Sequence, residues 1–210
     1  MGNNVTIGIK RCVNDTIGSI LHSRNDAWAS ATLAQLRRGL GKKPGDVPEL
    51  WDILFSKMPD ECKDYKEWRG DPSKAEWAIY IALTLFAMHQ QGNDRKQKMM
   101  HVPREKNCRE SLGTTLRKLA NASGEGGQER IRTKLNALAK APNITSAERH
   151  LRNIVYLLRD KGIPMDYGDL AVDLFLYQSP QTASGVKLRW AEDFYRTTKN
   201  NNDNSNSKSN

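Results

Sequence analysis

Three carboxylates toward the C-terminus, Asp166, Asp169 and Asp173, fall at i, i+3 and i+7. On a helix that spacing puts them on one face, where three oxygen donors can hold a divalent cation. Asp166 and Asp169, however, stand at the expected first turn, where carboxylates answer unpaired N–H groups and the helix dipole. Capping is therefore the favoured role. The run Gly39-Leu40-Gly41-Lys42-Lys43 is glycine-rich and lysine-flanked like a phosphate loop. It lacks the upstream glycine spacing and the Ser or Thr after Lys that would hold Mg²⁺, and a helix stop followed by a turn explains both glycines. His22, His89, His101 and His150 show no ligand spacing, and no motif marks a serine or cysteine nucleophile. Cys12, Cys62 and Cys108 are odd in number, far apart and outside any C-x-x-C pattern, which fits a reducing cytoplasm better than a disulfide framework or zinc site. The expectation is a protein without catalytic residues, metal or cofactor.

Cations carry more information. The net charge is +9 and the sequence pI about 9.5, a balance that favours anionic partners. The charge is uneven: residues 104–161 hold 13 Lys/Arg against 6 Asp/Glu, whereas residues 46–76 hold 5 against 9. That asymmetry predicts a basic and an acidic face. Beside the apolar stripe Ile131, Leu135 and Leu138 lie Arg130 and Lys134 at i, i+4; beside Leu151, Val155 and Leu158 lie Arg149, Arg152 and Arg159. Rows of long cationic side chains on neighbouring helices can follow phosphates without reading bases. The bland alternative is a solvated surface with incidental charges.

The elements that must position these residues read as helices. A capped helix is expected from Asn14 or Asp15, with Val13, Ile17, Ile20 and Leu21 on one face, and residues 1–10 are expected to be a flexible arm. A second helix runs from about Asp26 to Arg38, with Gly39 as a left-handed C-terminal residue. Pro48 opens a short helix through Leu54. Ser73 and Glu76 form a capping box for a helix apolar nearly all round, from Trp77 through Phe86, which belongs at the centre of a bundle. Its longest nearly apolar run, Ala78 to Met88, has eleven residues, whereas a membrane span needs roughly 20. No secretory h-region with a cleavage site precedes it, so a cytoplasmic protein with no membrane partner is expected. Residues 92–110 form a basic loop carrying Arg95, Lys96, Lys98, Arg104, Lys106 and Arg109. Helices with Leu112, Leu116 and Leu119, with Ile131 to Leu138, with Leu151 to Leu158 behind a Thr145–Glu148 capping box, with Leu170 and Leu174 behind Asp166, and with Val186, Trp190 and Phe194 follow. The expectation is all-α: two small helical bundles joined by a basic loop. Residues 1–105 make the N-terminal domain and 106–198 the C-terminal one, and the Asn-rich stretch 199–210 is a disordered tail.

Six segments in fixed order resemble the small subunit of the type I-E CRISPR Cascade complex, the CasB family. They are Leu33-Ala-Gln-Leu-Arg37-Arg38-Gly39-Leu-Gly41 with Pro48 and Trp51; Leu83-Thr-Leu-Phe-Ala-Met-His89-Gln-Gln; Ser111-Leu-Gly-Thr-Thr-Leu-Arg117-Lys-Leu; Leu135-Asn-Ala-Leu with His150-Leu-Arg152; Ile163-Pro-Met-Asp166-Tyr167 with Leu170-Ala-Val-Asp-Leu174; and Val186-Lys-Leu-Arg-Trp190-Ala-Glu-Asp-Phe194-Tyr. The resemblance implies two helical bundles and two copies per complex. It also implies other Cascade subunits, CRISPR RNA and target DNA as partners, and contact with nucleic acid that stabilises the displaced strand of the R-loop. Arg37, Arg38 and Arg152 match basic positions of the family. Where family members often carry consecutive arginines, this chain has Thr133-Lys134, and Arg130 or Arg132 stands in. The candidate contact residues are Arg37, Arg38, Lys42 and Lys43; then Arg109, Arg117 and Lys118; then Arg130, Arg132, Lys134, Arg149 and Arg152. Without the resemblance, a stand-alone helical DNA-binding protein and a spacer that binds only protein remain open.

Overall fold

The computed structural model describes residues 2–63, 71–103 and 110–196, with side chains from Asn4 onward. The proposed tail at 199–210 and the candidate Arg109 lie outside the described residues. The chain is all-α, with nine α-helices among the described residues: α1 Gly2–Leu21, α2 Asp26–Arg38, α3 Trp51–Phe55, α4 Lys74–His89, α5 Leu112–Ala122, α6 Gly127–Ala139, α7 Ile144–Lys161, α8 Tyr167–Tyr177 and α9 Pro180–Tyr195. None of the described helices is long and apolar enough to cross a membrane.

α4 is the axle. From Ala78 to His89 every residue is buried, and α1, α2, α7 and α8 all pack against it. Its start is set by Ser73, whose hydroxyl accepts from the Glu76 amide at 3.2 Å, while the Glu76 carboxylate accepts from the Ser73 amide at 2.7 Å. This reciprocal cap satisfies two donors that the first turn leaves open. α8 lies against both α1 and α4, so one continuous cluster of buried side chains crosses the sequence division near residue 105.

Within the expected flexible arm at residues 1–10, the described residues 2–10 are helix instead. Val5, Ile7 and Ile9 alternate, but Val5, Ile9, Cys12, Val13, Ile17 and Ile20 also recur at helical spacing. The helical pattern wins because it runs for five turns and buries Ile9, Val13 and Ile17 completely, whereas Ile7 is left 58% exposed. Asn14 and Asp15 consequently sit inside α1 rather than capping it. Gly39 is also corrected: it is right-handed, at φ −76° and ψ −16°. Glycine is needed there for space, since a Cβ would come 2.7 Å from Tyr80 Oη and 2.8 Å from Leu50 Cδ1. The left-handed residue of that turn is Gly41, at φ +78°.

Two further assignments change partners. α7 is capped by Asn143, whose side-chain oxygen accepts from the Ser146 amide at 2.9 Å, not by the Thr145–Glu148 box. Glu148 is thereby released from capping and is buried. In the loop after α4, Arg95 closes the C-terminal end of α1, donating to the carbonyls of Leu21 at 2.5 Å and Ser23 at 2.8 Å and pairing with Asp26. Carbonyls at a helix end attract such a cation.

Candidate nucleic-acid interface

The turn after α2 is held from three sides. The buried Tyr80 hydroxyl donates to the Gly39 carbonyl at 2.6 Å. Lys43 leads into a single turn at Pro44–Asp46, and its amide donates to Asp46 at 3.4 Å. From the other half of the chain, the Glu148 carboxylate of α7 accepts the Gly41 N–H at 2.8 Å. The same carboxylate oxygen pairs with Arg152, one helical turn on, at 3.2 Å. The Arg152 guanidinium in turn covers Gly41 so closely that a Cβ there would meet its Nη2 at 2.9 Å.

This latch ties together segments about 110 residues apart in sequence that each carry cations. Arg38, Lys42 and Lys43 are exposed at the end of α2 and its turn, and on α7 Arg149 is exposed and Arg152, beside Gly41, half-buried. Lys43 lies 3.8 Å from Asp71, an exposed pair worth little. Arg37 plays a more internal part: its guanidinium reaches the Ala87 carbonyl of α4 at 3.4 Å, and burial lowers its pKa from the ordinary arginine value.

The other candidates form a second group. Arg117 of α5 donates to the Arg196 carbonyl just past α9. Arg132 of α6 pairs with Glu129 at 2.5 Å and lies beside Tyr195, and these interactions raise its pKa above the ordinary arginine value, Glu129 foremost. Lys118 pairs with Glu110. Arg130 folds back onto the Ser123 carbonyl at 2.7 Å, closing the α5–α6 turn. Lys134 is half-buried on α6, which packs beside α7. Glu148 and Gly41 are the site residues that sequence reading missed. The signal was present in the Asn143 cap, which leaves Glu148 without a capping task.

The three aspartates are engaged by protein groups. Asp166 caps α8, accepting from the Asp169 amide at 2.9 Å. Lys10 of α1 lies 2.5 Å from Asp169 and 3.5 Å from Asp166. Asp173 accepts from Trp190 Nε1 at 2.5 Å and pairs with Arg189. Among the described residues, no group of three or more His, Cys, Asp or Glu is arranged to hold a metal ion. The core also holds His89 and His101 around the Tyr167 ring, with His89 Nδ1 at 2.8 Å from the Tyr167 hydroxyl. Burial pushes both imidazoles down to about 4.

The fold and these segments have counterparts. CasB from Thermobifida fusca is 31% identical, with a TM-score of 0.70 over 91% of this chain and 98% of that one. A chain of a CRISPR RNA-guided surveillance complex is 20% identical, with a TM-score of 0.65 over 91% and 94% of the two chains, a likeness of fold. CasB from Thermus thermophilus follows at 24% identity and a TM-score of 0.57, covering 92% and 97%. No curated protein sequence matches the chain. Residues 32–195 match the model of the CRISPR-associated protein Cse2 family, and since that span takes in the latched turn, α7 and most of the core, the chain belongs to the Cse2 family, to which the CasB resemblance pointed.

Proposed function

We propose that this protein is the small, non-catalytic subunit of a type I-E Cascade complex and that it holds nucleic acid by its backbone, without reading sequence. Its partners would be the other Cascade subunits, a second copy of itself, CRISPR RNA and target DNA. Membership of the Cse2 family supports the setting. The observation that carries the reading is the latch at Gly41, Glu148 and Arg152, which ties the turn carrying Lys42 and Lys43 to the stretch of α7 carrying Arg149 and Arg152. Electrostatics suffices for the task. Base pairing with the guide supplies sequence recognition, and exchanging a DNA duplex for a heteroduplex is nearly balanced in free energy. A few phosphate contacts to the displaced strand therefore tip the balance toward the open state. Arginine suits them because its planar fork matches phosphate oxygens.

The test replaces cations outside the latch. A combined Arg38→Glu, Lys42→Glu, Arg149→Glu variant is expected to fold, to assemble with the other subunits and to leave target DNA less stably open. The displaced strand is probed with permanganate, and the loss is expected to be insensitive to its sequence. Normal opening at every salt concentration by a properly assembled variant rejects this surface. A spacer that binds only protein predicts that result.

A further inference from the structure

The flank of α7 that carries Arg149 and Arg152 continues to a tyrosine and a third arginine. At about 100° per residue, Arg149, Arg152, Tyr156 and Arg159 fall within roughly 80° of arc, on one edge of the buried stripe. Tyr156 is 57% exposed, although the Arg159 guanidinium stands 4.9 Å over its ring centroid. Arg159 is itself held, with Nη1 3.1 Å from the Gln91 side-chain oxygen, and Lys98 reaches Gly162 at the same end of the helix. A large aromatic ring is thus kept in solvent, backed by a fixed guanidinium and bracketed by cations.

We infer that Tyr156 is a stacking platform for one unpaired base of a single-stranded nucleic acid whose phosphates run along Arg149, Arg152 and Arg159. The chemistry is complementary at each point. Every base offers a π-face, so a stacked tyrosine adds affinity without sequence preference. Arg159 behind the ring makes a cation–π sandwich with it. Arg152 and Arg159 are seven residues apart, about 10 Å along the helix axis, which is about three phosphate intervals of a stacked strand at 3.4 Å each. A duplex keeps its bases inside and cannot use the ring, so this feature distinguishes an opened strand from a closed one. The inference rests on the backbone-binding reading above and adds the part that recognises single-strandedness.

The full-length protein is mixed at low salt with a single-stranded oligonucleotide carrying 5-iodouracil, irradiated, and the cross-linked peptide sequenced by mass spectrometry. Cross-linking at Tyr156 is expected. Tyr156→Ala should weaken single-strand binding roughly 5- to 10-fold, the lower end for base–aromatic stacking, with an unchanged slope of log affinity against log salt. Tyr156→Trp should restore it. An oligonucleotide made abasic throughout should bind wild type and Tyr156→Ala equally. If Tyr156→Ala binds like wild type while Arg149→Glu loses affinity, the stacking inference falls and the backbone reading stands. If Tyr156→Ala loses as much on the abasic strand, or impairs only assembly with other subunits, the ring does not stack on bases and the inference is overturned. If neither variant changes binding, or the protein binds no oligonucleotide, both fall.

Discussion

Removing the Glu148 carboxylate should loosen the candidate interface and destabilise the fold by a calculable amount. Glu148 is 3% exposed and accepts from one neutral donor, the Gly41 amide at 2.8 Å, and one charged donor, Arg152 at 3.2 Å. In Glu148→Ala the Gly41 N–H loses its acceptor, which costs about 1–2 kcal/mol for a partly buried donor. The Arg152 side chain is 37% exposed and recovers much of its loss from water, so its share is about 0.5–1 kcal/mol. The expected total is about 2–3 kcal/mol. For a domain of this size each kcal/mol moves Tm by about 2–4 °C, so a drop of roughly 5–10 °C is expected. Glu148→Gln keeps an acceptor for Gly41 and should lose only about 1 kcal/mol. Urea titration gives the energies, and hydrogen exchange at the Gly41 amide reports the latch directly. An Ala variant within 0.5 kcal/mol of wild type, with Gly41 still protected, would mean that the turn is held by Tyr80 alone.

Other perturbations probe the frame around the site. Phe86→Ala empties the centre of α4 at a fully buried position, and a loss of about 3–5 kcal/mol is expected in the urea midpoint; a negligible change would contradict the axle role of that helix. Gly39→Ala drives a methyl into Tyr80 and Leu50 and should cost about 1–3 kcal/mol by thermal melting. His89 and His101 sit at about 4 in the fold against an ordinary 6.5, so between those values the unfolded chain binds more protons. Stability is therefore full above about pH 6.5 and lost as pH falls toward 4, by about 3 kcal/mol between pH 7 and pH 5 for the two together. His89 has Arg159 and Lys98 nearby and His101 has Asp166 and Lys10; a flat profile in urea melts over that range would refute the assignment.

Much of the frame was legible because local and tertiary signals agree. The Asp26–Arg38 helix and the Ser73–Glu76 box emerged where expected, since cap, periodicity and stop residue all point to one solution. α4 was recognisable as central because no face of it is polar. The errors occurred where one residue type serves two purposes. Val5, Ile7 and Ile9 satisfy an alternating pattern and, in part, a helical one, and only the packing of α1 on α4 and α8 decides between them. Gly39 was expected to be left-handed because glycine after a helix usually is, yet here it makes room for a phenol. Glu148 looked like half of a capping box, whereas its real partners, Gly41 and Arg152, include one more than 100 residues away. A contact of that range leaves no periodic trace.

The same long-range contacts decide how many of the twelve candidate cations act on a ligand. Arg37, Arg117 and Arg130 are engaged with backbone carbonyls. Lys118, Arg132 and Arg152 face carboxylates, and Arg109 lies outside the described residues. Among the described residues the side chains of Arg38, Lys42, Lys134 and Arg149 have no hydrogen bond or ion pair, and the exposed Lys43 has only its loose 3.8 Å contact with Asp71. A cation already compensated by a carboxylate releases little when it meets phosphate, because it must first give up its partner. At about 0.7 per phosphate on a single strand, these five available cations predict a slope of log affinity against log salt near −3.5, whereas all twelve predict about −8. Fluorescence anisotropy with a labelled single strand across a salt series separates the two. A slope near −8 would mean that the intramolecular pairs open on binding, and the surface would then have to be drawn to include the α5–α6–α9 group as well as the latched turn. A slope near −3.5 means that counterion release comes from these five alone and that Arg152 lines the strand while still paired with Glu148.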